Sequence, residues 1–140
     1  MLRIELMEWA AARAEASRIR TTVFVEEQRV PPEIEMDEHD AACVHALAYA
    51  QGRAVGTGRL LPDGHIGRMA VLKGSRSLGV GGAILERLVA EARRRGIRQV
   101  VLSAQTHALG FYRRHGFHEV GAVFEEAGIP HQEMRRVLNS

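Results

Sequence analysis

Cysteine is almost missing from this chain of 140 residues: Cys43 stands alone. One cysteine excludes an intrachain disulfide and a structural cysteine-zinc cluster, and it fits a reducing compartment. Long hydrophobic runs are missing as well, and no stretch is apolar and long enough to span a bilayer. The N-terminal segment Met1 to Leu6 alternates apolar and charged residues, so it holds no uninterrupted signal-peptide core. A cytoplasmic location without membrane contact is therefore expected. Strong charge imbalance is also lacking, since the formal net charge is only +2, and that makes no general case for a nucleic-acid partner. Lysine is nearly absent, because 18 of the 19 basic residues are arginine, the residue suited to bidentate recognition of phosphate or carboxylate. Arg93-Arg94-Arg95 forms a local block that reads equally well as a solvated helix end. The seven histidines are scattered, and His115-Gly116-Phe117-His118 breaks at a glycine, so no metal site is expected.

The length suits one substantial core, and residues 1–140 read as one domain. Alternating Leu2, Ile4 and Leu6 predict a first strand, and Trp9, Ala12, Ala16, Ile19 and Val23 then recur at helical spacing. From Glu26 to Asp40, seven carboxylates and Pro31-Pro32 interrupt any regular pattern and predict a loop with at most a short helical turn. Cys43 to Ala50, Ala54 to Leu61 and His65 to Val71 are strand-like runs separated by Gln51-Gly52-Arg53 and Pro62-Asp63-Gly64, which predicts three consecutive antiparallel strands. Ile84, Leu85, Leu88, Val89 and Ala92 share one face of a helix that Gly96 ends, with Glu91 and Arg95 able to pair across a turn. Gln99 to Ser103 has the pattern of a buried parallel strand reached by a crossover, so the expected sheet is mixed. A helix through Ala108, Leu109, Phe111 and Tyr112, capped by Thr106 or Ser103 and ended by Gly116, comes next. Two last strands, Glu119 to Phe124 and Glu133 to Leu138, are expected around a turn at Gly128-Ile129-Pro130.

The most informative stretch is Arg76-Ser77-Leu78-Gly79-Val80-Gly81-Gly82, which joins an apolar strand to a strongly amphipathic helix. Closely spaced glycines let the backbone approach a ligand, and the free N–H groups of a helix's first turn point one way, so such a turn is an anion cradle. A P-loop would need lysine followed by serine or threonine, and Gly81-Gly82-Ala83-Ile84 stands instead. A dinucleotide fingerprint would need a third spaced glycine in a parallel unit, and that is missing too.

Arg76-Ser77-Leu78-Gly79-Val80-Gly81 does have the R/Q-x-x-G-x-G/A form of the GNAT N-acetyltransferases. Downstream, Ala108-Leu109-Gly110-Phe111-Tyr112-Arg113-Arg114-His115-Gly116-Phe117 resembles the family's A-x-x-x-Y-x-x-x-G-F signature. Val23-Phe24-Val25-Glu26-Glu27-Gln28, the acidic stretch to Asp40, and Gly128-Ile129-Pro130-His131-Gln132-Glu133-Met134 are similar to the ElaA-like branch of that family. The resemblance implies the α/β (α+β) acyl-CoA N-acyltransferase fold, with a mixed, mostly antiparallel sheet of six to seven strands flanked by helices.

It also implies acetyl-CoA as cofactor and an amine as acceptor. Arg76 and the backbone N–H groups of Ser77, Leu78, Gly79, Val80, Gly81 and Gly82 would hold the pyrophosphate, and Met69 and Val71 would pair through their main chains with the pantetheine arm. The N–H of Ala70 or Val71 could polarise the thioester carbonyl. Tyr112 matches the tyrosine that protonates the departing thiolate in many members, although it also reads as a core-filling aromatic. Gln105 stands where many members have asparagine, which keeps the amide but lengthens its reach. The base is expected at His65, while Glu27, Glu35 and Asp37 lie in the segment expected to line the acceptor side. Each of these four also reads as an ordinary exposed turn or loop residue. An N-acetyltransferase acting on a primary amine is the leading expectation, with a catalytically silent acyl-CoA-binding module and a protein-lysine acetyltransferase as alternatives. Pairing of two copies through sheet edges is a further implication of the resemblance.

Overall fold

Trp9 opens the first helix because the alternating strand before it gives way to small apolar residues at helical spacing. In the computed structural model, which describes residues 2–35 and 37–138, these elements are β1 (Leu2–Met7) and α1 (Trp9–Arg20). Ala12, Ala16 and Ile19 form the buried stripe of α1. The chain then widens into a π-helical segment, Thr21–Glu27, in which the Gln28 N–H donates to Val23 O at 3.1 Å. The segment from Glu26 to Asp40 is thus more regular than its composition predicts. Glu26 and Glu27 end the π-helical turn, Pro32–Glu35 form α2, and Asp40–Ala42 form a 3-10 turn. Proline opens α2 because the first turn of a helix has no use for its missing N–H. Met36, in the same segment, lies outside the described residues.

β2 (Val44–Ala50), β3 (Arg53–Leu60) and β4 (Ile66–Val71) extend β1 into an antiparallel sheet of order β1-β2-β3-β4. Gln51 and Gly52, with φ of 54° and 77°, make a two-residue turn of the kind whose twist matches the strands it joins. On one face of this sheet Ala12, Ala16 and Ile19 of α1 pack with Leu47, Ala54 and Ala70. The other face receives α3 (Val80–Arg94) through Val80, Ile84, Leu85, Leu88, Val89 and Ala92. Each of those large aliphatic side chains contributes on the order of 2 kcal/mol by leaving water. Two glycines of β3 let the helix sit close: a Cβ at Gly56 would lie 2.9 Å from Ile84 Cδ1, and one at Gly58 2.9 Å from Ile84 Cγ2. At the helix end the Ile97 N–H reaches Ala92 O at 3.0 Å across Gly96, whose φ is 78°, closing the glycine C-cap the sequence predicts. Glu91 accepts from Arg95 as expected and from Arg94 as well.

β5 (Gln99–Gln105), a 3-10 turn at Thr106–Ala108 and α4 (Leu109–Arg114) follow, and then β6 (His118–Glu126) and β7 (Ile129–Val137). No side-chain cap from Thr106 or Ser103 starts α4, because the 3-10 turn already carries the chain into it. The second sheet has the order β5-β7-β6, with every neighbour antiparallel. β5 differs from the expected parallel strand in that its parallel contact with the first sheet is one bridge, His65 to Val101, while its whole ladder is with β7. The last hairpin is also longer and tighter than its composition suggests. Ala127 and Gly128, with φ of 53° and 76°, form the turn, and Pro130 lies inside β7 opposite Glu125. Proline is tolerated there because β5 ends level with His131, so the missing N–H interrupts no ladder on that side. Seven strands among the described residues, in two antiparallel sheets joined at one parallel bridge, with α1 and α3 on opposite faces of the first, complete the architecture. Among the described residues no helix is long and apolar enough to cross a membrane.

Candidate active site

β4 and β5 touch at the His65–Val101 bridge and then part, and the reason lies in β4. Thr57 pairs with Ala70 and Arg59 with Gly67, so Gly58 of β3 faces two residues, Arg68 and Met69, across a β-bulge. Arg68 takes a φ of 48°, a left-handed conformation that costs energy for any residue with a Cβ and that clusters at functional sites. Past the bulge the Leu72 N–H donates to Val55 O on β3. Strand alternation therefore turns the peptide groups of Met69 and Val71 away from β3 and toward the gap. The gap is a cleft of about 700 Å³ lined by Ile66 to Val71, by Leu102, Ser103 and Gln105 of β5, by Phe24, Glu27 and Gln28 of the π-helical turn, and by Tyr112.

At one end of this cleft the chain leaves β4 and enters α3 through Arg76 to Gly82. Ser77 and Gly79 have φ of 69° and 79°, which fold the turn back on itself, and the first helical N–H with a backbone acceptor is that of Ala83, bonded to Gly79 O at 3.1 Å. Among the described residues the N–H groups of Ser77, Leu78, Gly79, Val80, Gly81 and Gly82 have no hydrogen-bond partner. Donors left open at the positive end of a 15-residue helix suit an anion such as a phosphate. Leu78 is 69% exposed, so the cradle faces solvent, and of the seven residues from 76 to 82 it is Arg76 that also lines the cleft. Its guanidinium donates to Val71 O and to Glu27 Oε1, both at 2.9 Å.

Tyr112 reaches the cleft from α4, held edge-on between Phe111 and Phe117 at ring distances of 5.0 and 6.0 Å. Burial pushes its phenol up to about 12, so it keeps its proton throughout the neutral range and can donate it. Gln105 also lines the cleft, but its amide is engaged: it donates to Gln28 Oε1 at 2.9 Å, and its carbonyl lies 2.7 Å from His107 Nε2. His65 stands at the apex where the strands meet, with its ring half-exposed and its Nδ1 3.0 Å from Asp63. Ala70 is buried in the wall of β4.

The acidic residues behave differently from a set of solvated loop carboxylates. Arg20, 1% exposed, pairs with Glu35 and bidentately with Asp40 at 2.8 and 3.1 Å. Arg59 grips both oxygens of Asp37 at 2.8 Å and reaches Asp40 at 2.9 Å, while Arg68 closes the cluster onto Asp37 at 3.2 Å and onto Glu35 O at 3.2 Å. Three arginines thus neutralise three carboxylates. The Arg59 hydrogen bonds hold Asp37 well below the usual carboxylate range; burial pushes Asp40 upward, but Arg20 and Arg59 outweigh it and leave it lowered. Glu35, expected on the acceptor side, does line the cleft, but its carboxylate is bound into this cluster; Asp37 is bound there as well and is not among the residues lining the cleft. Glu27 remains at the cleft, paired with Arg76.

Residue patterning does not single out Arg20, Arg59, Arg68 or His131. His131 lies in β7, 7% exposed and lining the cleft, with Nδ1 2.7 Å from Ile129 O. Its one visible signal is its place in the segment after Pro130. Among the described residues no group of histidine, cysteine, aspartate and glutamate has the arrangement of a metal site.

Two antiparallel sheets splayed from a single bridge, a bulged β4 and a glycine cradle at the start of α3 define the acyl-CoA N-acyltransferase class of α/β fold. Residues 12–138 match the family model of the acetyltransferase (GNAT) domain, and the chain belongs to that family. It is 40% identical over 126 residues to the uncharacterized N-acetyltransferase YjcF of Bacillus subtilis, covering 87% of this chain and 90% of that one. It is 32% identical over 127 residues to protein ElaA of Escherichia coli, covering 85% and 83%, and the ElaA crystal structure matches it with a TM-score of 0.86 at 27% identity over 97% and 99% of the two chains. An acyl-CoA N-acyltransferase from Pseudomonas aeruginosa is similar at a TM-score of 0.87 and 33% identity, again over 97% and 99%.

Proposed function

We propose that this chain, as a single catalytic domain, transfers an acetyl group from acetyl-CoA to a primary amine by direct attack within a ternary complex. One observation carries the reading: the β4 edge at Met69 and Val71 opens into the same cleft that Arg76 and the protonated Tyr112 phenol also line. Acetyl-CoA would be held by the open N–H groups of Ser77 to Gly82 at its pyrophosphate, with Arg76 released from Glu27 to join them. Its pantetheine would run along Met69 and Val71 as an added strand, so that the Val71 N–H, turned toward the gap while the Ala70 N–H faces β3, meets the thioester oxygen as it gains negative charge. Such donors, fixed in place before the reaction, account for much of the barrier lowering in acyl transfer.

The amine nitrogen attacks the thioester carbon, the C–S bond breaks, and the Tyr112 O–H gives its proton to the leaving sulfur. Burial that raises the phenol also raises the developing thiolate, which keeps the two matched. His65, with its ring at the apex, is one candidate for taking the amine proton. Because Glu35 and Asp37 are neutralised by arginine, the acceptor wall selects by shape and by its apolar residues Phe24, Val30 and Ile34 more than by negative charge. Amine-dependent release of free thiol from acetyl-CoA tests the proposal. Release that requires both acetyl-CoA and an amine supports transfer, and tight acetyl-CoA binding with no turnover on any amine makes the chain a silent acyl-CoA-binding module.

A further inference from the structure

We propose that His131 is a catalytic residue of this cleft, taking the proton of the attacking amine at Nε2; the assignment rests on the acetyl-transfer reading above. Depth in the cleft supports it first. His65 and Val101 form the apex, Met69 lies four residues along β4 from it, and Gln105 lies four residues along β5, paired directly with His131. Four residues of β5 span about 13 Å, and on β4, where the bulge gives Arg68 and Met69 one ladder position, the same depth falls between Met69 and Val71, so His131 stands level with the β4 edge assigned to the thioester. His65, by contrast, sits at the apex itself, bonded to Asp63 at a surface turn.

The state of the ring points the same way. Nδ1 lies 2.7 Å from the Ile129 carbonyl oxygen, which can only accept, so Nδ1 carries the proton and neutral His131 offers its lone pair at Nε2. Phe124 stacks on the imidazole at 6.0 Å and 22°, fixing the ring plane. From β6 the charged group facing the ring is Glu126, whose Oε2 lies 3.7 Å from Nε2 and would pair with the imidazolium once it forms. From β5 the facing residue is Gln105, which does not titrate, and His107 lies beyond it, bonded to the Gln105 carbonyl. On β7 itself Glu133 is already bound to Arg135. A buried imidazole with Nδ1 anchored on a carbonyl and Nε2 left to a cleft, with a carboxylate 3.7 Å from that same nitrogen, has the parts of a positioned base.

The proton balance closes. An amine that arrives as ammonium first loses one proton to Nε2, which passes it to solvent by way of Glu126. Its lone pair then forms the C–N bond, Nε2 takes the second proton from the tetrahedral nitrogen, and the C–S electrons leave with sulfur, which takes the Tyr112 proton. Imidazolium and phenolate restore each other through water, so the products are the N-acetylamine and free coenzyme A thiol.

His131→Asn is the sharpest variant, because an asparagine amide can still donate to Ile129 O while Nε2 is lost. Thiol release with a panel of primary amines between about pH 6 and pH 9 should fall roughly 100-fold in kcat/KM. The acid limb of the profile should vanish, with acetyl-CoA affinity by calorimetry unchanged. His131→Ala should regain rate when free imidazole is added, which a purely structural histidine would not allow. A variant of either kind that keeps the wild-type rate and acid limb overturns the assignment alone. Lost acetyl-CoA binding, or an Ala variant that imidazole does not rescue, overturns it as well by making the residue structural. Wild-type protein that binds acetyl-CoA yet releases no thiol with any amine overturns the acetyl-transfer reading and this assignment together.

Discussion

The wall built from α1, α2, β3 and β4 sets three arginines, Arg20 and Arg59 of them buried, among three carboxylates, whereas the turn from Ser77 to Gly82 leaves six backbone N–H groups without a partner among the described residues. Glu35, Arg59 and Arg68 of the first line the same cleft as Arg76, which leads into the second. In the first, charge is consumed internally: Asp40 and Asp37 each accept from two guanidiniums, and the Asp40 main-chain carbonyl lies 2.9 Å from His45 Nε2. In the second, nothing is charged except Arg76, and the capacity to bind comes from peptide dipoles that the fold leaves open. Conspicuous ionisable residues therefore hold the scaffold together, and a glycine turn supplies the open donors proposed to hold the ligand.

Removing one member of the buried cluster should produce the largest effect. Asp40→Asn leaves Arg20 and Arg59 short of a counter-charge, and urea unfolding should show a loss of about 3–5 kcal/mol. A loss below about 1 kcal/mol would mean that the cluster is loosely held, and the contrast between the two regions would fail. Tyr112→Phe comes next. It should lower kcat on the order of 100-fold, about 2.7 kcal/mol of barrier, while acetyl-CoA affinity stays as it was. Equal losses in rate and in cofactor affinity would return Tyr112 to a packing role.

Gly58→Ala probes how the cradle is positioned. Its Cβ would press Ile84 Cγ2 at 2.9 Å and Leu88 Cδ1 at 3.1 Å, so about 1–3 kcal/mol of stability should be lost, and acetyl-CoA binding should weaken as α3 is pushed off the sheet. Gly79→Ala should cost less, about 1 kcal/mol, because nothing lies within 4 Å of the new Cβ and the penalty is the φ of 79°. If Gly79→Ala weakens acetyl-CoA binding no more than a surface substitution does, the open donors are not the binding element.

Acid separates the regions in a different way. Asp37 and Asp40 ionise below their ordinary 3.8, and hydrogen bonds from Arg94 and Arg95 bring Glu91 down from 4.5 to about 2. A depressed carboxylate binds fewer protons folded than unfolded, so its stabilisation is complete above the ordinary value and is lost as pH falls through the folded one. Buried His45 is also held below its ordinary 6.5 by desolvation, so the urea midpoint should begin to ease as pH falls through that value and drop more steeply below about pH 5, where the carboxylates add their loss. Asp40→Asn should flatten that fall, and an unaltered slope would remove Asp40 from the linkage.

Local pattern made much of this legible in the sequence. Helical spacing marked the face of α3, Gly96 its end, and two spaced signatures the cradle and Tyr112, because each depends on residues near one another in the chain. The acidic segment was misleading for the opposite reason. Glu35 and Asp37 are read as solvated until Arg20, Arg59 and Arg68 arrive from α1, β3 and β4, and composition cannot show that meeting. His131 is hidden in the same way, since its place in the cleft depends on β7 lying between β5 and β6 and not on its own neighbours. The bulge at Arg68 leaves no sequence mark, for arginine is not a residue that advertises a positive φ. The Ala127-Gly128 turn shows the same limit, with Ala127 at a φ of 53° beside a glycine that drew the turn one residue too far along.

Release of coenzyme A thiol from acetyl-CoA by the purified chain, followed with and without a panel of primary amines, tests the assignment of the open cradle to a working acetyltransferase most directly. Thiol should appear only when acetyl-CoA and an acceptor amine are both present, and Tyr112→Phe should slow its release while still binding the cofactor. Saturable acetyl-CoA binding accompanied by no amine-dependent thiol would contradict it.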